Sequence, residues 1–214
     1  MSSNKKTISL SPLLIQKDIK ANCTNSVYIE TPSLKLLVAL NGPYYSPSKS
    51  SNVDESRMDI NIKIKVPSYC NYSQTQCAYN ESQLEDILTK HLLIEKYPRT
   101  RLDIVIEVFE FKADYFPYAV MGTSLCACYA NIEQKGILTC CKVVIDKNGK
   151  IIADPTIEKE RGCETKFVIG SNISMKENFM FMQDGVCGQD VMKKAIASAI
   201  KICEVYQNYI MSKL

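Results

Sequence analysis

The sequence predicts an α+β fold in which helices pack on mixed sheets, and three patterns support it. Residues 59–66 (DINIKIKV) alternate between apolar and polar side chains, which indicates an antiparallel strand with one buried face. Residues 100–111 (TRLDIVIEVFEF) alternate in the same way over a longer stretch. Residues 189–211 instead carry apolar side chains at helical spacing, which predicts a C-terminal helix roughly 35 Å long that lies across a sheet.

The first part of the chain is predicted to consist of strands and polar loops. Residues 26–31 and 34–42 are rich in apolar residues on either side of a short Pro-containing turn, which indicates a hairpin. The stretches 44–56 and 66–80 flank the strand 59–66 and are polar, so we expect surface loops there.

A helix is predicted at 82–95, because Ser82 and Glu85 have the spacing of a capping box and apolar residues follow at helical intervals. His91 falls inside this helix, where we expect a partly exposed position. It is the only histidine in the chain, so a Ser-His-Asp or Cys-His catalytic arrangement could form only around it.

The second half is predicted to contain one more helix and two strand pairs. In the predicted helix 118–132, small residues such as Ala119, Gly122 and Ala127 would allow close packing against a sheet. The simplest interpretation is one domain over residues 1–214, and a division near residue 135 is the alternative. The elements are a helix at 118–132, a hairpin of 137–146 and 150–155 that turns at Asn148-Gly149, and a strand pair of 165–170 and 178–183.

The composition excludes several classes of protein. The chain is 46% hydrophobic and 23% charged, with a net charge of +3, which is ordinary for a soluble protein and no strong nucleic-acid signature. No apolar run reaches the ~18 residues of a membrane-spanning helix, and no secretory signal is apparent, so we expect no membrane association. The ten cysteines include no Cys-x-x-Cys pair, which argues against zinc and favours reduced cysteines in a nuclear or cytosolic protein.

Few residues indicate chemistry on their own, and glycine-rich phosphate loops are absent. Asp154, Glu158 and Glu160 could be carboxylates for a metal ion or for acid–base work, or a turn followed by a solvated charged run.

Four cations could contact phosphates. Arg99 and Arg101 precede a strand and could bind phosphates in bidentate fashion, or form a surface ion pair that sets the register. Lys63 and Lys65 on strand 59–66 could follow a nucleic-acid backbone, or protect an edge strand from aggregation.

Several segments, in this order and at this spacing, resemble the RNase PH family. The resemblance runs from about Leu14 to the C-terminal helix, and its most specific parts are Gly42-Pro43 after a hairpin, Pro-Arg-Thr before a strand and Asp-Pro-Thr after a hairpin. It implies an RNase PH-like (ribosomal protein S5 domain 2-like) fold. More narrowly, the chain is similar to the RNase PH-type subunits of the hexameric ring of the eukaryotic RNA exosome. The segments are SVYIETPSLKLLVALNGP, YPRTRLDIVIEVFE, AVMGTSLCACYANI and DKNGKIIADPTIEKE.

The resemblance also implies that the phosphate site of the family is degenerate here. Phosphorolytic members cleave RNA from its 3′ end with inorganic phosphate, which binds at a strand-to-helix junction of the pattern Gly-Gly-Thr-Arg-Thr-Ala. The aligned residues are Tyr115–Ala119, with Pro117 where the arginine is expected. Proline supplies neither a cation nor a backbone N–H, so phosphate could not bind as in the active enzymes.

Two aspartates six residues apart serve metal binding and proton transfer in active members, and they align with Asp154 and Glu160. The region 66–97, where active relatives carry further arginines, has none. We therefore expect Pro117, Asp154 and Glu160 to be vestigial, with no catalytic residue, metal or cofactor.

These implications lead to the expectation of a non-catalytic structural subunit of the exosome core ring, which supports 3′-to-5′ RNA processing and degradation. Expected partners are other RNase PH-type subunits of a hetero-hexameric ring, cap subunits with RNA-binding domains, and RNA, in the nucleus (including the nucleolus) and cytoplasm. Lys63, Lys65, Arg99 and Arg101 are the candidates for RNA contact. The alternatives are an active phosphate-dependent exoribonuclease with a displaced phosphate site, and a free-standing homo-oligomeric RNA-binding module.

Overall fold

Two β-sheets make up the frame of the structure, a computed structural model that describes residues 12–45, 55–69, 73–147 and 149–214. The first sheet has five strands in the order β1-β2-β3-β5-β4. All neighbouring pairs are antiparallel except β4 and β5, which are parallel. The strands are β1 (Leu14–Lys17), β2 (Asn25–Thr31), β3 (Leu34–Tyr45), β4 (Asp59–Lys65) and β5 (Thr100–Phe111).

The second sheet has four antiparallel strands in the order β7-β6-β8-β9. Its central strands β6 and β8 bury most of their side chains. The strands are β6 (Thr139–Asp146), β7 (Ile151–Ala153), β8 (Cys163–Asn172) and β9 (Glu177–Gly185).

Helices cover both sheets. The first helix packs on β4, the second contacts β2, β3 and β6 together, and the last packs on β6 and β8. A single 3-10 turn, Ile94–Lys96, follows the first helix. The helices are α1 (Gln74–His91), α2 (Phe116–Tyr129), α3 (Ile157–Glu160) and α4 (Gln189–Met211).

The expected α+β class and most predicted elements are confirmed, but the orientation predicted for strand 59–66 is wrong. Ile60, Ile62 and Ile64 do face the core, while β4 runs parallel to β5. The reason is the connection between them, because a helical crossover such as α1 returns the chain to the same end of the sheet. Alternation predicts which face is buried and does not report strand direction.

The predicted bounds of the first helix are also wrong. Helix α1 begins at Gln74, inside the stretch predicted as a loop, and ends at His91 rather than at residue 95. Its N-terminus is capped by Ser73, whose hydroxyl accepts a hydrogen bond from the N–H of Gln76, so the capping box lies nine residues before the predicted one. Ser82 lies in the helix interior.

His91 is buried rather than partly exposed. Its Nε2 atom lies 2.7 Å from the carbonyl oxygen of Gly136. Burial lowers the pKa of the imidazole, and the hydrogen bond to Gly136 only partly offsets this. The histidine therefore fixes the end of α1 to the loop before β6.

Other expectations have mixed outcomes. The hairpins of β2 with β3 and of β6 with β7, and the pairing of β8 with β9, are confirmed. Strand β1 and the short helix α3 were not predicted. Most of the predicted loop 44–56, and Asn148 of the predicted turn, lie outside the described residues. The extent of a single domain over 1–214 stays a prediction.

Two further properties concern the cysteines and the helices of the described residues. The nine cysteines in the described ranges are free thiols. Among the helices that the structure describes, none combines the length and the apolar character needed to cross a membrane.

The predicted close approach of α2 to a sheet is confirmed. Residues 116–127 of this helix are all buried. At Gly122, an added Cβ atom would lie 2.8 Å from Cγ2 of Val38 on β3 and 3.1 Å from Cδ1 of Ile29 on β2. The absence of a side chain at this position therefore sets the distance between α2 and the first sheet.

We expect the substitution Gly122→Ala to destabilise the protein by about 1–3 kcal/mol, because the new methyl group overlaps two side chains fixed in the core. Urea unfolding followed by circular dichroism measures the change. Gly162→Ala is the matched control, since a Cβ atom there would meet only ordinary contact at 3.8 Å. Equal effects of the two substitutions would contradict this account of the α2 packing.

Candidate functional site

An open cleft of about 730 Å³ lies at the N-terminus of α2. It brings together the end of β5, the loop residue Asp114 before α2, strand β6 and the short helix α3. Its charged lining residues include the carboxylates Asp114 and Glu160 and the cations Lys142, Arg161 and Lys166. The cleft borders the junction at which the family resemblance would locate phosphate, because Asp114 lines it and immediately precedes residues 115–119, which do not.

Asp114 precedes Tyr115, the N-cap residue of α2, and its side chain binds the first N–H of the helix. Its Oδ1 atom accepts a hydrogen bond of 3.0 Å from the backbone N–H of Phe116. Pro117 lies in the first turn, where it fits because N–H groups there have no partner within the helix. The partial positive charge at this helix end is therefore compensated by a carboxylate of the chain itself.

Lys142 supplies a cation to the cleft from β6. Its Nζ atom lies 2.8 Å from Oδ2 of Asp114 and 2.5 Å from Oε1 of Glu160. The side chains of Lys142, Asp114 and Glu160 are only 12%, 19% and 11% exposed. Lys166 extends the cluster, with its Nζ atom 3.6 Å from the same oxygen of Glu160.

The electrostatics of this cluster favour the ion pairs over a bound anion. Burial lowers the pKa of Lys142, but the charges and hydrogen bonds of Asp114 and Glu160 outweigh it and raise the pKa above that of an ordinary lysine. Two carboxylates thus hold one ammonium group. A phosphate dianion would have to displace at least one of them from Lys142 and would meet the negative charge of the other.

The side chain of Asp154 belongs to a different cluster from that of Lys142. It follows β7 and is not among the residues that line the cleft. Its carboxylate accepts a hydrogen bond from the hydroxyl of Tyr206 on α4 and is also hydrogen-bonded to Tyr118 in the first turn of α2. Asp154 and Glu160 are six residues apart in sequence, yet they serve two different clusters.

Burial raises the pKa of Asp154 to about 6, although the two tyrosine hydrogen bonds lower it. Within the described ranges, moreover, no three His, Cys, Asp or Glu side chains lie close enough together to hold a metal ion.

The four candidate RNA-contacting cations lie on the neighbouring strands β4 and β5 or just before β5, away from the residues that line the cleft. Each forms an ion pair with a carboxylate, which matches the structural alternative given for the two arginines. Strand β4 is at the edge of its sheet, as the alternative for the two lysines requires. RNA contact stays a prediction. The pairs are Lys63–Glu81 at 3.7 Å, Lys65–Glu107 at 3.1 Å, Arg99–Glu55 at 3.1 Å and Arg101–Asp103 at 3.0 Å.

The sequence analysis did not predict the ion pairs of Lys142 beside the cleft. Lys142 is the single charged residue within the apolar run CCKVV of β6, and a lysine in such a strand needs a buried counter-charge. That signal was available. The identity of its partners was not, because Asp114 and Glu160 come from elements 28 residues before it and 18 residues after it.

The fold of the chain is RNase PH-like. The crystal structure of Rrp46 from rice (Oryza sativa) matches with a TM-score of 0.84, covering 98% of this chain and 97% of that chain, at 14% sequence identity. The two proteins therefore share a fold, as the sequence resemblance implied.

Sequence comparison finds exosome complex components that resemble this chain. A putative exosome complex component RRP41 of Caenorhabditis elegans is 30% identical over 159 residues, which are 66% of this chain and 61% of that protein. The exosome complex component Rrp41 of Thermococcus kodakarensis is 23% identical over 211 residues, or 95% of this chain and 84% of that protein. The Rrp41 of Methanosarcina mazei is 22% identical over 94% of this chain, which spans 41% of that protein.

No protein-family model matches the chain. The chain also spans only about two fifths of the Methanosarcina protein and three fifths of the Caenorhabditis protein. Sequence and fold nevertheless agree, and the chain is an RNase PH-type relative of exosome components.

We expect Lys142→Met to destabilise the protein by about 3 kcal/mol, because it leaves two largely buried carboxylates beside each other without their shared cation. Urea unfolding at pH 7 measures the loss. Lys63→Met is the matched control, since that side chain is exposed and its single ion pair should contribute no more than about 1 kcal/mol. A similar loss of unfolding free energy for both variants would contradict a stabilising role of Lys142 between Asp114 and Glu160.

We expect Asp154→Asn to become more stable relative to the wild type as the pH rises from 4 to 7, by about 2–3 kcal/mol. The folded-state pKa of Asp154 lies above its unfolded value, so the wild type loses stability as the pH rises from about 4 to about 6. Asparagine has no charge to bury and tolerates the positive φ of 44° at this position.

The measurement is the difference in unfolding free energy between the variant and the wild type at several pH values. Asp184→Asn serves as the control, because Asp184 is an exposed aspartate of the same sheet. A pH-independent difference for Asp154→Asn would contradict the buried, titrating carboxylate.

Proposed function

We propose that the chain is a non-catalytic structural subunit of an RNA exosome core ring, which supports 3′-to-5′ RNA processing and degradation. Its role is to complete the ring and to help line the channel through which RNA reaches a separate nuclease. Lys63, Lys65, Arg99 and Arg101 are proposed RNA contacts along this path. The corresponding location is the nucleus, including the nucleolus, and the cytoplasm.

The ion pairs that hold Lys142 beside the cleft are the observation that supports inactivity. At and beside the junction where phosphorolytic members of the family are expected to bind phosphate, this chain has Pro117, the carboxylate of Asp114 on the first N–H of α2 and the ion pairs of Lys142. The second acidic position, Asp154, is held between two tyrosines. Phosphate binding and the acidic pair are thus both disrupted, by independent changes in different elements.

The proposed assembly follows from the names of the relatives, which are exosome complex components. Exposed apolar side chains on this chain agree with it, since a subunit of a stable ring carries apolar surface that its partners cover. The proposed partners are other RNase PH-type chains in a hetero-hexameric ring and cap subunits with RNA-binding domains. Examples of such side chains are Tyr45, Phe109 and Val186.

The first test is phosphorolysis by the purified chain. Incubation with RNA, inorganic phosphate and Mg²⁺ should release no nucleoside diphosphates, because Pro117 stands where the arginine of the junction is expected and Lys142 is held by Asp114 and Glu160. Release of nucleoside diphosphates that is lost in an Asp154→Ala variant would overturn the proposal in favour of an active exoribonuclease with a displaced phosphate site.

The second test is affinity purification of the chain from its own cells, followed by mass spectrometry. We expect other RNase PH-type chains and proteins with RNA-binding domains to co-purify in stoichiometric amounts. Recovery of the chain only with copies of itself would instead support a free-standing homo-oligomeric RNA-binding module and would contradict the ring.

A further inference from the structure

The carboxylate of Asp154 lies between two helices that belong to different parts of the fold. Tyr118 comes from the first turn of α2, which packs on both sheets, and Tyr206 comes from the C-terminal half of α4, which packs on the second sheet. Both tyrosines are only 3% exposed. Their ring centroids are 6.5 Å apart, the hydroxyl of Tyr206 donates a hydrogen bond to Asp154, and the hydroxyl of Tyr118 lies close enough to interact with both groups.

The backbone holds Asp154 in this position at some cost. Its φ angle is +44°, a left-handed conformation that non-glycine residues rarely adopt, and it precedes Pro155, which restricts the preceding residue further. Its N–H donates a 2.9 Å hydrogen bond to the carbonyl oxygen of Lys142 on β6. Such a conformation persists where the surrounding contacts over-determine it, and here the contacts are the two tyrosines and β6.

We propose that Asp154 is a structural tether that joins α2 to α4 across the edge of the second sheet. The proposal goes beyond the missing catalytic function, because it assigns a present role to the aspartate that aligns with the acidic pair of active relatives. It concerns the folded chain alone and holds whether or not the chain enters a ring. The tether is the carboxylate of Asp154 with the hydroxyls of Tyr118 and Tyr206.

The two helices joined by the tether differ in how deeply they are buried. Helix α2 is buried against two sheets, whereas α4 exposes one face along its whole length. Loss of the tether should therefore loosen the C-terminal half of α4 and leave α2 and the first sheet unchanged. Local opening of this kind is measured by amide hydrogen exchange.

The experiment is hydrogen–deuterium exchange with mass spectrometry on the full chain at pH 7. We expect Tyr206→Phe to increase amide exchange in peptides from 200–211 about tenfold, because a hydrogen bond to a charged acceptor is lost and the carboxylate stays partly buried. Exchange in peptides from β5 should not change. Tyr209→Phe is the matched control, since it removes the same hydroxyl from the same helix without touching Asp154.

Non-additivity provides the second readout. Because the three side chains act together, Asp154→Ala should increase exchange of α4 less in the Tyr206→Phe background than in the wild type. Equal exchange in Tyr206→Phe and Tyr209→Phe would overturn the proposal, and so would additive effects of Tyr206→Phe and Asp154→Ala. If Asp154→Ala does not fold, Tyr118→Phe combined with Tyr206→Phe gives the same test.

These outcomes are separate from those of the proposed function. Phosphorolysis that depends on Asp154 would overturn the non-catalytic assignment without changing the exchange of α4. Unchanged exchange would overturn the tether and leave the absence of phosphorolysis unaffected.

Discussion

Helix α2 contacts both sheets at once, and the rest of the structure is arranged around this burial. Its residues 116–127 have no exposed face, so the helix must be small where it meets β3 and apolar where it meets β6. Gly122 meets the first condition. A helix enclosed in this way also fixes the location of its own N-terminus, and that is where the cleft, the ion pairs and the tyrosine cluster meet.

The N-terminus of such a helix is a natural position for an anion, since its N–H groups and partial positive charge are directed there. In this chain the anion is the side chain of Asp114. Its carboxylate accepts a hydrogen bond from the backbone N–H of Phe116, and Lys142 forms ion pairs with both Asp114 and Glu160. The positive charges of the helix N-terminus and of Lys142 are therefore compensated by carboxylates of the protein itself.

Much of the fold could be predicted from the sequence, because the hydrophobic period reports local conformation and burial. Strands β2, β3, β5, β6 and β8 and helix α4 were predicted in type and approximate position. The predictions were wrong where the structure depends on residues outside the segment itself. The capping box at Ser73 begins α1 within a polar stretch without an apolar stripe, and the parallel pairing of β4 depends on the path of α1 between two strands.

The candidate site was predicted in outline only. The resemblance to the RNase PH family directed attention to Pro117, Asp154 and Glu160, and the rice Rrp46 structure agrees with the fold that it implied. It gave no indication that the two acidic residues would separate, with Glu160 in the cleft and Asp154 between Tyr118 and Tyr206. Six residues of sequence cannot decide this, since a single left-handed residue between β7 and α3 redirects one of the two side chains.

By itself, the amino-acid sequence determined the α+β class and the buried faces of the strands. These are properties of residue type and period along one segment. Only the tertiary structure decided which charges neutralise one another, because Lys142 meets Asp114 and Glu160 from three separate elements. The physical reason is that ion pairing depends on distances of a few ångströms between residues far apart in the chain, and the folded packing around α2 sets those distances.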